Sequence, residues 1–298
     1  MKSAVHGTVP LYSEHEIESG LTQIVLSVWE PVDPVATIVF MPSTLSHPLF
    51  YESLLRGFAE RGLAVVGVHP LSHGRSPRAV KRFTISDLIQ NCRDAISFAQ
   101  AHFTLPVITL GSCQGGIVSA VLAATDPRVV AGFSHNLVLS ELPETVSITR
   151  FPRWVSHVYR PVMAIFRMIA RLFPDVTLPI QYYLDPMRMS TDPALWRRVE
   201  RDPLWAGRYS LTFLSSLFNT RFPVLTDGTA AAPIYVIADR GDRLFTPEYV
   251  NQVFGRLSAP HKEIVWFGFN DNMLLVNYAD AVVETLADKA HEVVLGIR

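Results

Sequence analysis

A cysteine flanked by glycines lies where a predicted strand gives way to a predicted helix. Residues 107–110 are apolar, as in a short buried strand, and helical spacing begins at Ile117. Between the two, Gly111 and Gly115 flank Cys113. A tight strand–turn–helix lifts the central side chain out of the turn and points the following backbone N–H groups at whatever binds there. Cys113 is therefore the candidate nucleophile, although a free cysteine also packs well as a small apolar side chain.

The composition indicates a globular protein rather than a disordered or nucleic-acid-binding one. Hydrophobic residues make up 49% of the 298 residues, charged residues make up 18%, and the formal net charge is −1. Neither a signal-peptide core nor an apolar run of about 20 residues is visible. The two cysteines, Cys92 and Cys113, have no metal-type spacing, and no phosphate-binding glycine loop is present. We expect a cytoplasmic protein with no cofactor, no metal, no nucleic-acid partner and no membrane span.

Strand and helix patterns alternate along most of the chain. Predicted strands occupy residues 21–29, 35–40, 63–68, 107–110, 129–133, 234–238 and 263–267, with a further strand expected near residues 8–11. Predicted helices occupy residues 49–61, 84–102, 114–124, 247–257 and 279–294. Such alternation is typical of a mostly parallel sheet covered by helices. The predicted fold class is therefore α/β.

The alternation stops between residues 141 and 225. Helical patterns in this segment cover residues 154–172, 193–199 and 208–218. We interpret residues 141–225 as a helical cap inserted into a core of residues 1–140 and 226–298; a second helical domain with no substrate role is the alternative. The aromatic residues of the segment favour an apolar substrate, and Trp154 and Tyr182 are candidate substrate-binding residues. Its arginines are expected to face solvent.

Three motifs in one order resemble the α/β-hydrolase superfamily over nearly the whole chain. Residues 59–76 resemble its strand and HG-x-S loop, residues 111–116 its nucleophile elbow, and residues 237–247 its strand-end acid motif. The resemblance implies an α/β-hydrolase fold with a mostly parallel eight-stranded sheet. It also implies a nucleophile–acid–histidine triad and an oxyanion hole.

The resemblance also assigns roles to individual residues. Cys113 takes the position of the nucleophile and Asp242 that of the acid, with Asp239 as the alternative acid. The oxyanion donors implied are the backbone N–H of Gln114 and one from Ser43 or Thr44. The G-x-C-x-G-G elbow also resembles that of polyhydroxyalkanoate synthases, which implies acyl transfer between thioesters; this likeness is confined to the elbow. A cysteine that had replaced an original serine would mark the site in the same way.

The chain departs from the superfamily pattern at the histidine. Residues 267–275 contain none, and Asn272 occupies the expected position, with Asn270 as the second choice. An asparagine cannot accept and return a proton near neutral pH, so the usual general base is missing. One interpretation is that the helix N-terminus favours the Cys113 thiolate, which needs a base less than a serine does.

Two further interpretations stay open. Another histidine could supply the base: His135 follows a strand at the edge where sites of α/β proteins form. His47 and His73 lie on neighbouring loops and are also candidate substrate-binding residues. Alternatively, the pocket performs non-hydrolytic chemistry or only binds a ligand.

The leading hypothesis is a hydrolase or acyltransferase that acts on an apolar ester, thioester or lactone through Cys113 and Asp242. The rival is an α/β-hydrolase homologue with a degenerate triad that catalyses a cyclisation, elimination or isomerisation, or that binds a ligand. The sequence leaves the substrate and the oligomeric state open, a homo-oligomer included.

Overall fold

The computed structural model describes residues 9–20, 22–190 and 192–296, and its centre is an eight-stranded sheet. The strands of this sheet are β1 (Leu11–Ser19), β2 (Thr22–Glu30), β3 (Ala36–Met41), β4 (Leu63–His69), β5 (Val107–Ser112), β6 (Val129–His135), β9 (Ile234–Asp239) and β10 (Lys262–Phe267). Between β6 and β9, β7 (Thr177–Pro179) and β8 (Arg208–Ser210) form a separate antiparallel pair. The spatial order is β1-β2-β4-β3-β5-β6-β9-β10, and β2 runs opposite to the other seven. The predicted mostly parallel, eight-stranded α/β architecture is confirmed.

Helices cover both faces of the sheet. They are α1 (Glu52–Ala59), α2 (Ile85–Phe103), α3 (Gln114–Thr125), α4 (Tyr159–Leu172), α5 (Pro186–Met189), α6 (Pro193–Arg201), α7 (Leu211–Asn219), α8 (Pro247–Arg256), α9 (Leu274–Asn277) and α10 (Ala279–Leu295). In β3, Ile38 and Phe40 face the layer of α1, α9 and α10, whereas Val39 and Met41 face that of α2, α3 and α8. Burial on both faces explains why the parallel strands are continuous apolar runs. Within the described ranges, no helix is long and apolar enough to cross a membrane.

The first strand lies elsewhere than predicted. The expected strand near residues 8–11 is replaced by Leu11–Ser19, while Thr8 lies outside the described residues. The side chains of β1 are alternately exposed and half-buried because β1 is an edge strand that pairs with β2 and packs one face on α2. A polar edge strand of this kind has no continuous apolar run to reveal it.

The segment between β6 and β9 contains α4 to α7 and the β7–β8 pair. The predicted helix at residues 154–172 begins as a 3₁₀ turn, Arg153–Val158, and becomes α-helical at Tyr159. Pro161 is tolerated because it lies in the first turn of α4, where its missing N–H costs no helical hydrogen bond. The β7–β8 pair was not predicted, since three-residue strands carry too little periodicity.

Parallel strands bring their carboxyl ends to one edge of the sheet. The loops after β3, β5, β6 and β9 therefore lie next to one another, and they carry most of the residues singled out from the sequence.

Candidate active site

Cys113 occupies the turn between β5 and α3 in a strained backbone conformation. Its φ is 55° and its ψ is −114°, a combination that a residue with a Cβ rarely adopts. The Cys113 N–H donates to the carbonyl oxygen of His135 over 2.9 Å, which ties the turn to the end of β6. A Cβ at Gly111 would overlap the backbone of Gly115, and one at Gly115 would overlap that of Met41. The glycines are therefore required by the close approach of three backbone segments.

The half-buried thiol of Cys113 opens on a small cavity of about 20 Å³. That volume holds about one water molecule. The walls bring together several residues that the sequence had marked as candidates: Ser43, Thr44, Cys113, His135 and Asn272. The remaining lining residues are Tyr51, Ser112, Asn136, Met189, Met273, Leu275 and Val276.

Asp242 and Asn272 form a buried hydrogen-bonded pair. Asn272 Nδ2 donates to Asp242 Oδ2 over 2.8 Å, and the backbone N–H groups of Leu244 and Phe245 donate to Oδ1 over 2.6 and 2.9 Å. Burial raises the pKa of Asp242, and these three donors partly oppose that shift. The Asp242 carboxylate is thus held by two backbone N–H groups and by the side-chain amide of Asn272.

Asp239, the alternative acid, is occupied by backbone groups. Its carboxylate accepts hydrogen bonds from the N–H groups of Gly241, Phe269 and Asn270, over 2.7 to 2.8 Å. It therefore joins the loop after β9 to the loop after β10. Asn270, the second choice for the histidine position, packs against Gly241 in this junction and does not line the cavity.

The electrostatics of Cys113 run opposite to the sequence expectation of a stabilised thiolate. Burial raises the pKa of the thiol to about 12, and the nearby Asp242 carboxylate acts in the same direction. A hydrogen bond with the Thr44 side chain and one with the backbone of Gln114 lower the pKa, but by less. The helix N-terminus is present, but the cost of desolvating a charge at this position is larger. The raised pKa favours the neutral thiol near neutral pH.

His135 borders the cavity as a neutral imidazole. Its Nδ1 lies 2.8 Å from the hydroxyl oxygen of Ser112, and its Nε2 has no hydrogen-bond partner among the described residues. Complete burial lowers the pKa of this histidine to about 3. A buried nitrogen without a partner, on the wall of a cavity that fits one water molecule, suits a bound water or a substrate atom.

The oxyanion candidates lie on two segments that face Cys113. Gln114 is the first residue of α3, so its N–H has no acceptor within the helix and contacts the thiol. Ser43 and Thr44 belong to the loop after β3, where the Ser43 hydroxyl accepts a 2.7 Å hydrogen bond from Tyr51. This arrangement places the segments on which an oxyanion hole depends.

Tyr209 links these two segments, and no motif in the sequence points to it. This buried residue of β8 accepts a hydrogen bond from Leu45 N–H over 2.9 Å, and its hydroxyl lies 2.9 Å from Gln114 Oε1 and 2.8 Å from His73 Nε2. Because His73 Nδ1 donates to the carbonyl of Leu71, a neutral His73 offers Nε2 as an acceptor. The single hydroxyl proton of Tyr209 is therefore shared between two acceptors.

None of the four candidate substrate-binding residues lines the cavity. His47 Nε2 instead lies 2.7 Å from Asp202 Oδ2 in the segment between β6 and β9, and burial lowers the pKa of His47. His73 is held by Leu71 and Tyr209, as described above. Trp154 and Tyr182 are 63% and 66% exposed, on the outside of the inserted segment. Among the described residues, no cluster of His, Cys, Asp and Glu is suited to hold a metal ion.

Comparisons with known proteins agree with this architecture. The family model described as "Serine aminopeptidase, S33" matches residues 32–268. Comparison with curated proteins gave no match. Among solved structures, a soluble variant of monoglyceride lipase from Saccharomyces cerevisiae is 13% identical, with a TM-score of 0.70 and coverage of 96% of this chain and 97% of that one.

Two further solved structures have the same fold. The monoacylglycerol lipase of Paleococcus ferrophilus is 19% identical, with a TM-score of 0.68 and coverage of 93% of this chain and 99% of that one. A thermostable carboxyl esterase from Bacillus coagulans is 15% identical, with a TM-score of 0.70 and coverage of 95% and 99%. At such identities the likeness concerns the fold alone.

Proposed function

Since this chain belongs to the serine aminopeptidase S33 family, we propose that it is an acyl-transfer or hydrolytic enzyme that acts on an apolar ester, thioester or lactone. Cys113 is the proposed nucleophile. The observation that carries the proposal is the position of Cys113, at a strained turn above a cavity that it shares with Thr44 and with Asn272, which is hydrogen-bonded to Asp242. Strain of this kind persists where the surrounding structure holds it for function.

The chemistry starts with attack of the Cys113 sulfur on the carbonyl carbon of the substrate. As the C–S bond forms, the carbonyl π electrons move to the oxygen, which the N–H of Gln114 and one N–H from Ser43 or Thr44 stabilise. Collapse of the tetrahedral species re-forms the carbonyl and expels the alcohol or thiol. Water or a second acceptor then attacks the thioester carbonyl, the C–S bond breaks, and the proton of the acceptor returns to the Cys113 sulfur.

The thiol proton needs a destination, and the pKa values decide between two. Burial raises the pKa of Cys113 to about 12 and lowers that of His135 to about 3, so transfer of a proton from the thiol to this imidazole is strongly unfavourable. Asn272 cannot take a proton at all. The thiol proton therefore goes to the alcohol or thiol as it departs. The neutral His135 has the role of a hydrogen-bonding group within the cavity.

Residues 141–225 are proposed to act as a cap over this site. Support comes from three contacts of the segment with the core: Met189 lines the cavity, Tyr209 joins Leu45 to Gln114, and Asp202 meets His47. Since the cavity holds about one water molecule, an apolar substrate needs an outward movement of this segment to reach Cys113.

Acylation of Cys113 is the direct test. The intact protein and the Cys113→Ala variant are incubated with activated esters and thioesters of increasing acyl length, and their masses are measured. We expect one acyl group per chain on the unmodified protein and none on Cys113→Ala. Full ester turnover by a folded Cys113→Ala variant would exclude the cysteine nucleophile.

Non-hydrolytic chemistry is the second candidate, and the asparagine at the base position favours it. A site with neither a proton-accepting triad residue nor room for bulk water suits cyclisation, elimination or isomerisation. Turnover in H₂¹⁸O separates the two candidates. Hydrolysis places ¹⁸O in the acid product, whereas the other reactions leave the product unlabelled.

A further inference from the structure

Helix α4 has two apolar stripes, of which only one is buried. Tyr159, Met163 and Ala170 pack inward with the half-buried Phe166. The second stripe faces solvent and has the spacing i, i+3, i+4, i+7, so that its members lie on one side of the helix. It consists of Ile165, Met168, Ile169 and Leu172, which are 54%, 55%, 40% and 66% exposed.

The exposed stripe continues beyond the end of the helix. Phe173 follows directly and is 56% exposed, and Val176 is 47% exposed. We call Ile165, Met168, Ile169, Leu172 and Phe173 the outer face of α4. Single exposed apolar side chains are ordinary, but a contiguous group of this size marks an interaction surface.

Positive charge predominates around the outer face. Arg160, Arg167 and Arg171 recur at helical spacing along the side of α4 between its two apolar stripes, and all are exposed. Residues 145–174 contain five arginines and no acidic residue. Asp175 follows this stretch directly and forms an ion pair with Arg82, and Glu141 lines a surface pocket with Arg160, Arg167 and a further arginine, Arg221. The surface is therefore cationic as well as apolar.

These features decide which partner fits. A second copy would bring two cationic faces together and repel. The outer face is one side of a single helix rather than a groove, which suits a flat surface better than an inserted peptide. Apolar side chains bordered by arginines are the composition of helices that lie in the plane of an anionic lipid surface.

We propose that the outer face of α4 docks on membranes that contain anionic lipid. The apolar side chains enter the boundary between headgroups and acyl chains, and the flanking arginines contact phosphates. This surface is separate from Cys113, and its occupancy does not depend on the reaction proposed above.

Vesicle co-sedimentation tests the proposal without reference to activity. The full chain is mixed with vesicles of phosphatidylcholine alone or of phosphatidylcholine with phosphatidylglycerol. We expect binding to the anionic vesicles to be about tenfold stronger, because each arginine near such a surface contributes, and to weaken in high salt. Failure to bind anionic vesicles, or equal binding to both kinds, overturns the proposal.

The chain offers a closely matched control for the apolar part. Leu172 in α4 and Leu295 in α10 are 66% and 67% exposed, so serine at either position leaves the core intact. We expect Leu172→Ser combined with Ile165→Ser to weaken binding to anionic vesicles by about tenfold, and Leu295→Ser to leave it unchanged. Equal binding by both variants would overturn the proposal. Dimers that Leu172→Ser abolishes, seen without vesicle binding, would assign the face to a second copy instead.

Discussion

The Cys113 thiol should behave as an unusually weak acid, and alkylating reagents should therefore react with it slowly. Its ordinary pKa of 9.0 rises to about 12 through burial. At about pH 8 a thiol with a pKa of 9 is roughly one tenth thiolate, whereas one with a pKa of 12 is roughly one part in ten thousand thiolate. Because only the thiolate reacts, the fraction of reactive Cys113 is about a thousandfold below that of a free cysteine.

The measured quantity is the dependence of the Cys113 labelling rate on pH. Restricted access slows the labelling equally at every pH, so it does not change the shape of this dependence. Iodoacetamide labelling is followed by intact mass on a Cys92→Ser background, which removes the second, fully buried thiol. We expect the rate at Cys113 to rise about tenfold per pH unit with no plateau up to about pH 10. The same chain in urea should show a plateau at the ordinary pKa. A plateau near neutral pH in the folded protein would show that burial does not control the pKa of Cys113, and it would support attack by a resting thiolate.

Three further predictions concern the surroundings of the site. Asn272→His should give Asp242 an imidazole partner and raise ester turnover by about a hundredfold. The pH–rate profile should then show a new inflection near the ordinary histidine pKa. Unchanged turnover would show that the asparagine at this position does not limit the reaction. The buried histidines of lowered pKa should make the fold acid-sensitive; they are His69, His73 and His135, with pKa values of about 3, 4 and 3. In the unfolded chain these histidines take up protons below the ordinary pKa of 6.5, whereas in the folded protein they stay neutral. The free energy of unfolding is therefore highest above pH 6.5 and falls as the pH drops towards 4, by about 4 kcal/mol per pH unit near pH 5. Urea titrations that gave the same free energy of unfolding at about pH 6 and pH 5 would contradict this. Tyr209→Phe should lower the free energy of unfolding by about 1–3 kcal/mol, because Leu45 N–H and the Gln114 amide lose a buried hydrogen-bond partner. The same loss should reduce kcat more than it changes KM. Unchanged stability and kcat would show that other groups hold the two segments.

The sequence predicts the fold well because its signals are local. Continuous apolar runs fix the buried strands, and Thr84 with Asp87 forms a capping box at the start of α2, where the sequence predicts that helix to begin. The polar strand β1 escapes prediction, because its register depends on pairing with β2 and on the α2 surface beneath it. Edge strands depend on their neighbours more than on their own composition.

The sequence predicts which loops form the candidate site, but not which side chains of the inserted segment reach it. Cys113, Thr44 and Asn272 meet at one cavity because they follow strands whose carboxyl ends share an edge. Trp154 and Tyr182 lie outside it, since residue type gives no information about which face of the inserted segment turns inward. Tyr209 was missed for the same reason: its three hydrogen bonds join residues 95 to 164 positions away in the chain.

The direction of the Cys113 pKa shift also lay beyond the sequence. A helix N-terminus is visible in the pattern and favours a thiolate by about 1 kcal/mol. Burial is not visible in the sequence, and it outweighs the helix N-terminus: the pKa of the thiol rises from 9.0 to about 12 even though the hydrogen bonds with Thr44 and Gln114 lower it. The sequence shows only the smaller of the two effects, so the direction of the pKa shift needs the structure.

Under the proposed acyl-transfer function, the Asn272–Asp242 pair bears on which half of the cycle is slow. The oxygens of Asp242 accept three hydrogen bonds, from Asn272 Nδ2 and from the N–H groups of Leu244 and Phe245, so the geometry around the acid is complete without a titratable partner. Acylation needs an exposed sulfur and oxyanion donors, and an ester or thioester substrate brings a leaving group that can carry the proton away. In deacylation the proton of the attacking water must go to the departing Cys113 sulfur, and without a base to draw that proton off during the attack, water is a weak nucleophile. We therefore expect the acyl group to persist on Cys113 until an acceptor with a lower pKa than water, such as a thiol, removes it.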